Sequence, residues 1–103
     1  MQDSNNTFLV NVVQPNGELL AFDDVVAVRV VDRNYNLLMM KDYMPIIGEV
    51  QGSIDIQGKT SKFEMKSGTA YYINHENKFT LIIKEMLEGG LQIPVESVAG
   101  NAQ

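Results

Sequence analysis

"SIDIQGKTSKFEMKSGTAYYINHENKFTLIIK", Ser53 to Lys84, is built from short runs in which every second residue is apolar. In "SIDIQ" and "KFEMK" the alternation puts Ile54, Ile56, Phe63 and Met65 on one side. Period two is the signature of a strand with one face against a core. "GKTS" between them predicts the connecting turn, and the two runs form a hairpin. "TAYYIN" and "KFTLIIK" repeat the pattern around "HEN", where Asn74 and Asn77 flank the only histidine, and form a second hairpin. Val50, Ile54 and Phe63 are expected in the core.

Upstream, "TFLVNVV" (Thr7–Val13) is β-rich and stops at "QPNG", where Pro15 presets a turn and Asn16-Gly17 can take positive φ. "ELLAF" follows as a strand, Asp23-Asp24 reads as a turn, and "VVAVRVV" (Val25–Val31) reads as a strand covered on both faces. "DRNYN" turns the chain into "YNLLMMKDYMPII" (Tyr35–Ile47), whose alternation sends Leu38 and Met40 to one face and Leu37 and Met39 to the other. One of those faces packs inside. No segment shows a convincing helical period. The turn spacing predicts an all-β chain: an antiparallel β-sandwich or flattened barrel of about eight to ten short strands. Residues 1–86 form the domain. Residues 87–103, with Gly89, Gly90, Pro94 and Gly100, read as a tail with little regular structure and at most one short strand.

The 103 residues leave room for one domain with one modest core. Eight Lys and Arg against 13 Asp and Glu give a net charge of −5, and the basic residues are scattered, which argues against nucleic acid or an anionic membrane surface as a direct partner. Without cysteine there is no disulfide, thiolate metal site or cysteine nucleophile, in keeping with a reducing compartment. "MQDSNNTFLV" has neither the basic nor the apolar segment of a signal peptide, and the longest apolar run holds Arg29 and is far short of the ~20 residues that span a bilayer. The expected location is cytoplasmic, with no direct membrane insertion.

No catalytic motif passes a physical test. "GSIDIQGKT" (Gly52–Thr60) has one residue too many for a phosphate-binding loop, alternates as a strand, and precedes no helix. His75 stands alone, so neither a metal cluster nor a Ser-His-Asp triad has support, and it reads as a solvated turn residue. Asp23 and Asp24 would point to opposite faces of a strand and make a poor cation site. No cofactor, metal or catalytic residue is expected.

Over Thr7 to about Met86 the chain resembles the N-terminal β-sandwich domain of the epsilon subunit of F-type ATP synthases, called delta in mitochondria. "LVNVVQPNGELLAFDDVVAVRV" is similar to the family's opening strand, turn, second strand and valine-rich third. "MPIIGEVQGSIDI" places Pro45, Ile46, Ile47, Val50 and Gly52 where the family has Ala-Pro-Leu-Leu, an aliphatic residue and a Gly before a strand. "KFEMKSGTAYYINHENKFTLIIKEM" resembles the family's Phe, Ser-Gly-Gly, strand, Asn-containing turn and Val-Thr-Val-Leu strand in the same order.

The resemblance implies a ten-stranded, non-catalytic central-stalk subunit that docks on gamma, contacts the ring of c subunits and meets the alpha/beta hexamer indirectly, peripheral to the membrane. Two departures stand out. The usual C-terminal helical pair, which can inhibit hydrolysis or bind ATP, has no counterpart in this tail, so neither property is expected. Aligned on Pro45, Tyr35, Asn36, Leu37 and Leu38 replace the family's Gly-Glu-x-Gly, and Lys41, Asp42 and Tyr43 replace its Pro-Gly-His. The residues expected at a partner interface, the c-ring or a substitute for it, are Tyr35, Asn36, Leu37, Met39, Asp42, Tyr43, Met44, Pro45 and Ile46. Methionine adapts to irregular surfaces and tyrosine offers area at low entropy cost. Docking on gamma is expected from exposed apolar residues of the first strands and the Pro45 region. The alternative is a free-standing β-sandwich ligand-binding module using "YNLL", Tyr71 and Tyr72, although aromatics make up only 8% of the chain.

Overall fold

Valine and isoleucine dominate the apolar runs, and β-branched side chains suit a pleated surface better than a helical turn. The computed structural model describes residues 6–94, with side chains to Glu85, and among these residues there is no α-helix. The strands are β1 (Phe8–Val13), β2 (Leu19–Asp32), β3 (Tyr35–Met39), β4 (Ile46–Gly58), β5 (Ser61–His75) and β6 (Lys78–Pro94). Their bonded order is β1-β6-β5-β4-β2-β3, and β1 also pairs with β2. Five strands therefore close into a barrel, with β3 added at the side of β2.

β2, β4, β5 and β6 run 13 to 17 residues each. At ~3.3 Å per residue the longest could not stay straight in a molecule whose largest extent is 34 Å. They bend where the register slips: between Val25 and Ala27 against β4, between Val50 and Gly52 against β5, and repeatedly from Glu64 to Ala70 against β6. One extra residue reverses the alternation. In β2 the inward side chains are accordingly Phe22, then Val25, then Val28 and Val30.

The bends flatten the barrel into two layers. The first holds β1, Leu19–Val25 of β2, and the halves of β4, β5 and β6 that pair around Ile46–Val50, Tyr71–His75 and Lys78–Ile82. The second holds β3 and the other halves of the four long strands. The Phe22 ring from the first layer meets the Phe63 ring from the second at a centroid distance of 5.7 Å and a tilt of 55°. The buried core that contains both rings also includes Val10, Val12, Val25, Ile54, Phe79 and Leu81. Val50, Ile56 and Met65 are buried as expected, and Met39 joins them.

The expected sandwich or flattened barrel is present, with three revisions of detail. Asp23 and Asp24 do not turn the chain: they lie inside β2, where β1 and β2 slip register between Phe8 and Val10, and a bulge carries the same polar residues as a turn. The short strands counted from turn-like residues are halves of longer, bent ones. Finally, the sheet is mixed, because β1 runs parallel to β6 while every other pairing is antiparallel. β6 continues through residues 87–94 of the stretch read as a tail. Residues 95–103 lie outside the described ones.

The turns follow local chemistry. In "QPNG" the Gly17 amide donates to Gln14 O at 2.8 Å with Gly17 at φ 91°, and the Glu18 amide donates to Asn16 Oδ1 at 2.9 Å. Glu76 and Asn77 close β5 to β6 with φ of 49° and 61°, the two-residue turn whose twist matches paired strands. "GKTS" is a turn between β4 and β5, held where Asp24 accepts from the Lys59 amide and from Thr60 Oγ1.

Candidate protein-docking site

The outer face of the first layer is apolar where alternation would normally place polar side chains. Cross-strand register aligns two rows on it: Ile47, Ile73, Thr80, Asn11 and Ala21, and beside it Glu49, Tyr71, Ile82, Val13 and Leu19. Ile47 is 77% exposed and Leu19 60%, and Tyr71, Ile73 and Ile82 are each about two-fifths exposed. Met44, in the loop before β4, is 62% exposed, and Leu9 is exposed on β1, where it pairs with Lys78. Single exposed apolar residues are ordinary, but neighbours across four strands make a contiguous apolar patch, a candidate for docking.

The outer face of the second layer is different in kind. Arg29, Asp55 and Glu64 are paired across β2, β4 and β5, and Lys62 Nζ sits 2.8 Å from Glu64 Oε2. Burial, then the neighbouring Glu64 carboxylate, raises the Asp55 pKa above the ordinary carboxylate value. Hydrogen bonding to Glu64 raises that of Lys62. Charged side chains of this density make a solvated face.

Between the layers runs the side where β3 leads into β4. Of the expected interface residues, Met39 is fully buried in the core. Tyr35, Leu37, Tyr43 and Ile46 are half-buried and pack against that core. Asn36, Asp42, Met44 and Pro45 are exposed. Leu38 and Met40 face out, as the strand alternation predicts. The Tyr35 hydroxyl donates to the Glu49 carbonyl and accepts from Tyr72 Oη at 3.2 Å; burial, then that bond, raises the Tyr35 pKa so far that it stays neutral. Tyr72 is itself buried, which removes it from the aromatic contacts of a ligand-binding module and leaves Tyr71.

The Met40–Pro45 loop is fixed from the β5–β6 hairpin. Asn74, expected in the turn, is buried at the end of β5, where its Nδ2 donates to Met44 O at 3.1 Å and Tyr43 O at 3.4 Å. Asn77 accepts from the Asp42 amide at 2.6 Å and donates to Asp42 Oδ1 at 3.0 Å, holding Asp42 at φ 68°. His75 lies exposed beside the turn, paired with Lys78. Among the described residues no group of His, Cys, Asp or Glu could hold a metal ion.

Sequence reasoning expected docking residues on the first strands and near Pro45 but did not single out Tyr71, Ile73 and Ile82. Their signal was present: "AYYIN" and "TLIIK" put apolar residues on both faces of one strand. What was missing was which strands lie side by side.

No family model matches the sequence, and no curated protein matches it. Among solved structures 17 chains match. One is in the cryo-EM structure of the Tetrahymena thermophila mitochondrial ATP synthase, central stalk and c-ring, with a TM-score of 0.63 and 14% identity over 77% of this chain. What the two share is the fold. The described chain spans 64% of the length of that neighbour.

Proposed function

We propose that this protein is a non-catalytic central-stalk subunit of an F-type or F-like rotary ATPase, docking on the gamma subunit through the apolar outer face of the first layer. The observation that carries the reading is the fold likeness to a chain from the stalk and c-ring region of an ATP synthase, reached independently of the ordered motif resemblance in the sequence. The exposed face supplies what such a subunit needs, an apolar patch with aromatic and branched anchors. A contact with the c-ring or a substitute partner belongs to the Met40–Pro45 loop, where Asp42, Met44 and Pro45 are exposed and the backbone is held in one conformation. The docking domain is the barrel, whose strand β6 runs to Pro94. In the cell the protein sits at the cytoplasmic side as a peripheral member of the complex.

Affinity capture of the tagged protein from its native cell tests this. Gamma and the alpha/beta hexamer should co-purify, and Ile47→Lys with Tyr71→Lys should release them, because losing a central anchor costs roughly 1–3 kcal/mol of binding. Capture of gamma at wild-type level by the double variant would move the docking site elsewhere. Absence of all ATPase subunits from the wild-type capture would overturn the function.

A further inference from the structure

The turn between β1 and β2 holds the only Asn-Gly pair of the chain, Asn16-Gly17. Every other asparagine is followed by a residue with a Cβ, which crowds the approach of that residue's amide nitrogen to the asparagine side chain. Asn16 and Gly17 are both exposed, and a Cβ built on Gly17 would meet nothing within 4 Å. The asparagines of the β5–β6 hairpin differ in kind: Asn74 is buried, and Asn77 has both atoms of its side-chain amide bonded to Asp42. At Asn16 the Glu18 amide donates to Oδ1 at 2.9 Å. This bond folds the side chain back along the turn, toward the Gly17 nitrogen that lies between the two residues. A donor on Oδ1 also stabilises the negative charge that an attack on Cγ would place there. One contact opposes the attack: the Gly17 N–H itself donates to Gln14 O at 2.8 Å. Reaction therefore waits for the turn to open, and Pro15 favours the closed form by fixing φ at the second position of the turn.

We propose that Asn16 is a site of self-modification gated by the opening of this turn. The Gly17 nitrogen, its proton taken by solvent base, bonds to Asn16 Cγ and closes a five-membered succinimide. The bond from Cγ to Nδ2 breaks, and that nitrogen leaves as ammonia. Water then adds to either carbonyl of the ring, giving aspartate at position 16 or, where the chain now runs through the side-chain carbon, isoaspartate. One water enters and one ammonia leaves, with no oxidation or reduction. Both products put a carboxylate two residues from Glu18. Isoaspartate also lengthens the main chain by one carbon inside a turn closed by the bonds of Gln14 to Gly17 and Glu18. Leu19, exposed on the outer face of the first layer, follows directly. The chemistry uses only the turn and solvent, so the proposal does not depend on the ATPase reading.

The test incubates the full chain at mildly alkaline pH and follows it by peptide mass mapping, with enzymatic methylation to reveal isoaspartate. The mass gain of an amide turned to an acid should appear first on the peptide that holds Asn16, rise with pH, and be accompanied by isoaspartate. Asn16→Gln, whose attack would have to close a six-membered ring, should leave that peptide unchanged over the same period. Pro15→Ala should speed the conversion about two- to fivefold, the rise in open turn expected when a proline's constraint is lost. The free peptide of residues 12–20, with no strands to hold the turn, should react faster than the folded chain. Conversion that begins at another asparagine, or that yields aspartate without isoaspartate, would overturn the proposal. So would a Pro15→Ala variant or a free peptide that reacts no faster than the wild-type chain, since the turn would then not be the gate.

Discussion

Gly52 sits where β4 crosses beneath the end of β2, and a Cβ built there would overlap the Val31 carbonyl oxygen. Backbone cannot move aside as a side chain can, so Gly52→Ala should cost roughly 1–3 kcal/mol of stability, read as a lower urea midpoint with unchanged slope. Two aspartates on the second layer respond to pH with opposite sign. The amides of Gln51 and Asn34 donate to Asp32 and lower its pKa. Its stabilisation is present above the unfolded value of about 3.9 and is lost as pH falls through the lower folded value. Asp55 has a raised folded pKa. Its favourable contribution is present below about 3.9 and lost as pH rises through the folded value. Asp32→Asn should therefore be less stable than wild type near neutrality and Asp55→Asn more stable. Both differences should shrink in urea titrations repeated toward about pH 2.

At the scale of elements, the β5–β6 hairpin both closes itself and holds its neighbour. Glu76 is the poorer residue of its turn, since an unbranched acidic side chain at φ 49° lacks the local bonding that lets asparagine adopt this region. Glu76→Asn should raise stability by about 0.5 kcal/mol, seen as a small increase in melting temperature. Asn74 acts on the loop instead. Asn74→Ala leaves two carbonyls without their donor, at a cost of about 1–3 kcal/mol. Amide exchange should rise at Tyr43 while the β2–β4 pairing stays protected. Uniform acceleration across the whole chain would show that the loop and barrel open together. The hairpin was legible in the sequence because alternation and an Asn-bearing turn are local. The role of Asn74 was not, because its acceptors lie 30 and 31 residues away.

For the whole molecule, closure depends on β1, which lies between β2 and β6 and bonds to both. Removing residues 1–13 would uncover Phe22, Val25, Phe79 and Leu81 from one side and leave two open edges. The truncated chain should lose cooperative thermal unfolding by near-ultraviolet circular dichroism. A sharp transition near the wild-type temperature would show that the remaining strands form an independent unit. The sequence by itself determined the strand class, the two hairpins, the main core residues and the lack of a catalytic motif, because each rests on neighbours within a few positions. It also carried the family resemblance through the order of its turns. Tertiary structure alone decided that Asp23-Asp24 is a bulge, that β1 runs parallel to β6, and that Ile47, Ile73, Tyr71 and Ile82 lie together on one outer face. Alternation tells which residues share a side of a strand. Which strands become neighbours is settled by closing the barrel around Phe22 and Phe63, an energy spread over contacts far apart in sequence.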